Sequence, residues 1–190
     1  MLRTVEFAMM SIELLLDEES DAAIRRQWDR LKDAGLPSLA SHTGASNAPH
    51  ITLMAAASIG TTGLEPVLAS LPLPVRLGGW IVFGQPPRSL VLGRAVIATS
   101  ELLVLHRVVA ALARDTEETA ATTEPVQWTP HVTLASRLTP RELGDSIELL
   151  GARGIPDETR EVMTAIAARH WDGAQKVVTM LAPPVYPSDG

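Results

Sequence analysis

Pro49-His50-Ile51-Thr52-Leu53 and Pro130-His131-Val132-Thr133-Leu134 are near copies of one pentapeptide, with Ile exchanged for Val at the third position. They begin 81 residues apart in a chain of 190. Alternate side chains of an extended strand share a face, so the His and Thr of each copy point one way and its apolar pair the other. Each copy therefore reads as a strand with one face for a core and one for chemistry. A His–Thr separation of about 6.6 Å lets an imidazole and a hydroxyl reach different atoms of one phosphate-sized group.

The flanking sequence repeats as well. Residues 11–17 form a short apolar run that reads as a buried strand. A helix follows with Ser20 as N-cap and Ile24, Trp28 and Leu31 inward, until Gly35 and Pro37 stop it. Residues 38–48 read as a loop, 49–57 as the first motif strand, 63–71 as a short helix and 73–84 as a strand. Gln85-Pro86-Pro87 then breaks the chain. The order recurs with a strand over 89–98, a helix over 100–115, a polar connector over 116–129 and the second motif strand over 130–138. Thr139, Pro140 and Glu142 supply an N-cap, a first-turn proline and a capping-box glutamate to a helix with Leu143, Ile147 and Leu150 inward, ended by Gly151 to Gly154. Two last strands, 162–171 and 175–182, flank the hairpin signal Asp172-Gly173. From the start of the long helix to the histidine is 29 residues in the first half and 31 in the second. The expected fold is α+β, a single domain over 1–190 with two similar lobes, roughly 11–84 and 88–182, between which strands can be exchanged.

Composition narrows the function. Hydrophobic residues make up 46% of the chain and charged residues 20%, which excludes disorder and fibrous architectures. The absence of cysteine removes disulfides, thiolate metal sites and cysteine nucleophiles together, and fits a cytoplasmic address. A net charge of −6 argues against an extended nucleic-acid surface while leaving room for a small phosphate held by local groups. No apolar run reaches the length of a membrane span, Glu6 and Glu13 interrupt what would otherwise imitate a secretory signal, and residues 1–9 read as a lead of little structural consequence. Neither motif histidine has a second His or a carboxylate at ligand spacing nearby, so no metal is expected.

Two imidazoles across one cleft suit phosphodiester chemistry. A neutral ring takes a proton from the attacking oxygen, an imidazolium gives one to the leaving oxygen, and threonine hydroxyls donate to the non-bridging oxygens. An unperturbed imidazole near 6.5 serves either role close to neutrality, so the sequence leaves base and acid unassigned.

At this point the chain resembles the two-histidine (2H) phosphoesterases, a family that includes RNA 2′,3′-cyclic phosphodiesterases and 2′-5′ RNA ligases. The resemblance spans roughly residues 11–182 and rests on the twice-occurring pattern His-x-Thr/Ser-x, met by His50 to Leu53 and His131 to Leu134. It implies a bilobal, pseudo-two-fold fold with two antiparallel sheets lining a central cleft and helices outside. It also implies catalytic His50 and His131, Thr52 and Thr133 on the phosphate, and opening of a 2′,3′-cyclic phosphate without a metal. The chain is expected to act as a monomer and without a cofactor. Ala135-Ser136 stand before Arg137 where many members that handle RNA ends carry basic residues, and Met54 to Ala57 offer no charge. The partner is thus an RNA end or a smaller cyclic nucleotide. Reversible 2′-5′ ligation by the same residues, or a binding module without turnover, are the alternatives.

Other polar and aromatic residues carry weaker expectations. Trp128 stacks on a nucleobase or packs, and Arg137 is a weak phosphate candidate that alternates off the His/Thr face. Arg169 and Trp171 line the cleft, or are an exposed Arg beside a packed Trp. His106 is a satisfied histidine at the core edge, and His42 sits in a solvated loop able to close over the cleft. Asp17-Glu18-Glu19 and Glu117-Glu118 read as solvated turns, while Trp80 and Tyr186 stay undecided.

Overall fold

A computed structural model describes residues 9–86, 89–114, 119–152 and 162–185. Tyr186, Glu117, Glu118, Gly154 and the lead over 1–8 lie outside them. The elements run β1 (Met10–Leu16), α1 (Glu18–Asp33), β2 (His50–Ala56), α2 (Glu65–Leu68), β3 (Leu73–Phe83), β4 (Leu90–Val96), α3 (Ser100–Ala113), β5 (His131–Leu138), α4 (Pro140–Leu150), β6 (Val162–Asp172) and β7 (Val177–Ala182). Short 3₁₀ turns cover Leu39–Ser41 and Ala121–Thr123.

Local chemistry accounts for most boundaries. Thr139 and Glu142 close the expected capping box on α4, and Gly151 forms its C-cap. The cap of α1, however, is Asp17 and not Ser20: the Asp17 carboxylate accepts from the Ser20 backbone N–H at 2.8 Å. An acidic cap places negative charge at the positive end of the helix, which a buried serine one turn later cannot do. Ser20 instead accepts from the Thr164 N–H across the fold. The last hairpin is wider than a two-residue turn. The Asp172 carboxylate accepts from Ala174 N and Gln175 N, both at 2.9 Å, and Lys176 takes the left-handed conformation. Gly173 is needed for closeness, since a Cβ there would lie 2.5 Å from the Met9 carbonyl oxygen.

All seven strands pair antiparallel, in the order β2-β1-β6-β3-β4-β5 with β7 beside β6. The two expected sheets are joined through β3. Leu73 to Arg76 pair with β6, and Leu77 and Trp80 to Phe83 pair with β4, on either side of a register shift at Gly78-Gly79. The third strand of each half therefore pairs with the first strand of the other: β6 with β1, and β3 with β4. The core lies under the apolar faces of Ile12, Leu14, Ile51, Leu53, Val132 and Leu134, with Ile24, Trp28 and Leu31 of α1 and Leu102 and Val109 of α3 packed into it.

His106 of α3 is the one imidazole in this core, fully excluded from solvent. Its Nε2 lies 2.9 Å from the Thr123 carbonyl, an acceptor only, so Nε2 carries the proton and donates. Burial pushes this ring below the ordinary imidazole range, the Thr123 carbonyl offsets part of that, and the Arg107 charge adds to the lowering. An unfolded chain, with imidazoles near 6.5, therefore binds a proton that the folded chain refuses. Stability is fully present above about pH 6.5 and falls as the pH drops below it. Thermal unfolding between pH 7 and 5 should show this loss, and His106→Gln, which can still donate to Thr123 but does not titrate, should reduce it.

Candidate functional site

Both motif histidines open their strands directly after a proline, a residue without an N–H to leave unpaired at a strand start. In each motif the carbonyl two residues before the histidine meets its ring. His50 Nδ1 lies 2.8 Å from the Ala48 carbonyl and His131 Nδ1 lies 2.7 Å from the Thr129 carbonyl. A carbonyl only accepts, so Nδ1 carries a proton on both rings and Nε2 is the nitrogen left for exchange. Thr52 and Thr133, two residues on, are half-buried like the histidines. Among the described residues, neither threonine hydroxyl makes an internal hydrogen bond.

β2 and β5 stand at opposite ends of the strand order, yet the fold brings them into contact. Each would present unpaired carbonyls along its outer edge, and each is covered from the other half of the chain. Trp28 of α1 donates its indole N–H to the Thr133 carbonyl at 3.0 Å, and Trp128 donates to the Thr52 carbonyl at 3.0 Å. The connector before β5 completes the cover on β2, with Ala120 N donating to the Ala55 carbonyl and Ala55 N donating to Thr123 Oγ1. His106 lies flat against Trp128, ring centroids 4.0 Å apart and 2° from parallel. One face of the Trp128 indole and its N–H are thus taken internally, and packing is the reading its contacts fit.

The surroundings of the two rings differ. His50 Nε2 stands 3.6 Å from Glu13 Oε1 on the neighbouring strand β1. Glu13 is only 4% exposed, and is held by Arg169 Nε on its other oxygen at 2.7 Å and by the Ser11 hydroxyl at 2.6 Å. Burial pushes the Glu13 carboxyl up, but the charges of His50 and Arg169 and the hydrogen bonds from Ser11 and Arg169 together hold it below its usual range. His131 instead packs on Phe83, centroids 4.5 Å apart. Burial lowers the His131 imidazole, the Thr129 carbonyl offsets part of this, and the charge of His50 adds to the lowering.

A cleft of about 640 Å³ opens in front of His50, walled by Glu13, Arg169, Trp171, Lys176 and the loop carrying His42 and Asn47. Asn47 Nδ2 donates to the Leu39 and His42 carbonyls, both at 2.9 Å, which ties that loop in place. Arg169 and Trp171 do wall the cleft, and Arg169 is buried and ion-paired, not exposed. His131 is outside this lining. Arg137 is exposed, in left-handed backbone at a register shift of β5, and is also outside it. Trp80 is accounted for by the Arg94 guanidinium, 3.7 Å from its ring centroid. Among the described residues no three His, Cys, Asp or Glu side chains gather as a metal site, and no helix is long and apolar enough to cross a membrane. Sequence reasoning missed Ser11 and Glu13. Their signal was two polar residues alternating with Ile12, Leu14 and Leu16 in an otherwise apolar strand.

The sequence profile of the 2′-5′ RNA ligase superfamily matches residues 20–162, both motifs included. The chain belongs to this superfamily. Its fold is that of the 2H phosphoesterases, as two solved structures show. Usb1 from Kluyveromyces marxianus superposes with a TM-score of 0.54 at 13% identity, covering 92% of this chain and 98% of that one. Usb1 of the same organism with uridine monophosphate gives 0.53 at 14% identity, covering 94% and 99%. No curated protein matches the sequence. Within this superfamily member the two indole bonds hold the motif strands in register with the opposite half. Trp128→Phe keeps the ring on His106 but strands the Thr52 carbonyl, and Trp28→Phe does the same to Thr133. Each should cost about 1 kcal/mol in denaturant unfolding.

Proposed function

We propose that this chain opens a cyclic phosphodiester, a 2′,3′-cyclic phosphate on a nucleotide or RNA end, without a metal and with His50 and His131 as its proton-transfer groups. The observation that carries the reading is the pair of rings, each fixed through Nδ1 by a backbone carbonyl and each offering Nε2, at the heads of two strands that the fold brings into contact. In the reaction one neutral Nε2 takes a proton from water while the water oxygen bonds to phosphorus. The bond from phosphorus to one ribose oxygen breaks, and the other ring gives its Nε2 proton to that oxygen. The uncommitted hydroxyls of Thr52 and Thr133 donate to the non-bridging oxygens, where charge builds as phosphorus becomes five-coordinate. Lys176 and Trp171 on the cleft wall suit the charge and the flat base of a nucleotide. Their small number, with the net charge of −6, favours a short ligand over a long strand.

Ligation of a 2′-5′ bond is the same transfer with a ribose hydroxyl replacing water, and an RNA acceptor added to the assay separates the two. Turnover of nucleoside 2′,3′-cyclic phosphates in chelator should give a bell-shaped pH–rate profile, since one ring must be neutral and the other charged. His50→Ala and His131→Ala should each abolish most of the rate. Thr52→Val and Thr133→Val should each lower it about a hundredfold or more. Undiminished turnover by the double histidine variant would overturn the reading, and tight binding with no product in a single turnover would favour the binding module.

A further inference from the structure

Strand register sets the two halves over one another residue by residue. Thr52 lies opposite Glu13, and Thr133 lies opposite Gly93. On the next strand in, Arg169 lies opposite Glu13, and Ile81 lies opposite Gly93. One step further Trp171 lies opposite Ser11, and Phe83 lies opposite Val91. The place that holds a carboxylate, a guanidinium and a hydroxyl beside His50 thus holds a glycine, an isoleucine and a valine beside His131. The backbone enforces the difference, because a Cβ on Gly93 would stand 2.8 Å from the Val132 carbonyl oxygen, too close for any side chain.

We propose that Glu13 is the positioning residue that gives the cleft its direction: it holds His50 as the imidazolium that protonates the leaving oxygen, and leaves His131 as the base. The inference rests on the cyclic phosphodiester reading above. Its geometry is specific. The Arg169 cation binds the far oxygen of Glu13, and the near oxygen, which also accepts from the Ser11 hydroxyl, lies 3.6 Å from His50 Nε2. The other charged or titratable groups facing His50 are Arg169 on β6, Lys176 in the last turn, His42 in the loop and His131 on β5, none of which is anionic. Glu13 is therefore the sole carboxylate, among the described residues of the cleft wall, able to favour a cation there. His131, against Phe83 and with no carboxylate opposite, keeps a lone pair on Nε2 for the incoming water.

The test is Glu13→Gln, which preserves shape and can still accept from Arg169 through its amide oxygen but removes the charge. Imidazole NMR titration of the free protein should show the His50 protonation midpoint moving down, with that of His131 almost unmoved. In turnover of a nucleoside 2′,3′-cyclic phosphate the alkaline limb of the pH–rate profile should move down by a similar amount while the acid limb stays. If Glu13→Gln fails to fold because Arg169 is left buried and unpaired, Glu13→Asp keeps a carboxylate for Arg169 while drawing it back from His50, and should move the His50 midpoint in the same direction by less. A His50 midpoint that does not move overturns the inference, as does movement of the acid limb alone. Absence of cyclic phosphodiester turnover by the unaltered protein would instead sink the functional reading, with the NMR titration still deciding whether Glu13 sets the charge on His50.

Discussion

Two indole N–H groups do what the sheet cannot. β2 and β5 are the ends of a strand order, and a strand at an end has one ladder of backbone groups without a partner. Trp28 and Trp128 each reach out of one half of the chain to the threonine carbonyl of the other half's motif. A carbonyl left buried and unpaired is costly, so the bonds fix the strands in position as well as filling space. Without them the two His-x-Thr faces would belong to separate edges. With them the two motif strands lie in contact.

Much of this was legible in the chain. The duplicated pentapeptide fixed two strands, and alternation fixed their working faces. The capping box at Thr139 and the apolar stripe of α3 were equally readable, because each depends on residues within a few positions of one another. Glu13 was not readable, since its significance comes from Arg169, 156 residues away, and from lying opposite Thr52 in a register no local pattern encodes. Trp128 was ambiguous for the same reason: its partners, His106 and the Thr52 carbonyl, come from a helix and a strand that precede it. Asp17 displaced Ser20 as helix cap because both residue types suit the position and only the path of β1 into α1 chooses between them.

The proline of each motif has a part that residue spacing does not disclose. It stands between the histidine and the residue whose carbonyl meets Nδ1, a bond that settles the tautomer. What then separates two rings with the same internal anchoring is the next strand in, charged and hydrogen-bonded in one half and glycine-narrowed in the other. Duplication supplies the like anchoring of the two rings, and unlike neighbours on the next strand distinguish them.

The crossing of β3 and β6 has a consequence for how the molecule comes apart. A backbone nick between Phe83 and Leu90 would not release two self-sufficient lobes, because each fragment would carry away a strand that completes the other's sheet. The halves are thus mutual templates, bound by hydrogen-bonded ladders in both directions. Separately synthesised fragments would be expected to need one another to fold, so the duplicated architecture behaves as one cooperative unit.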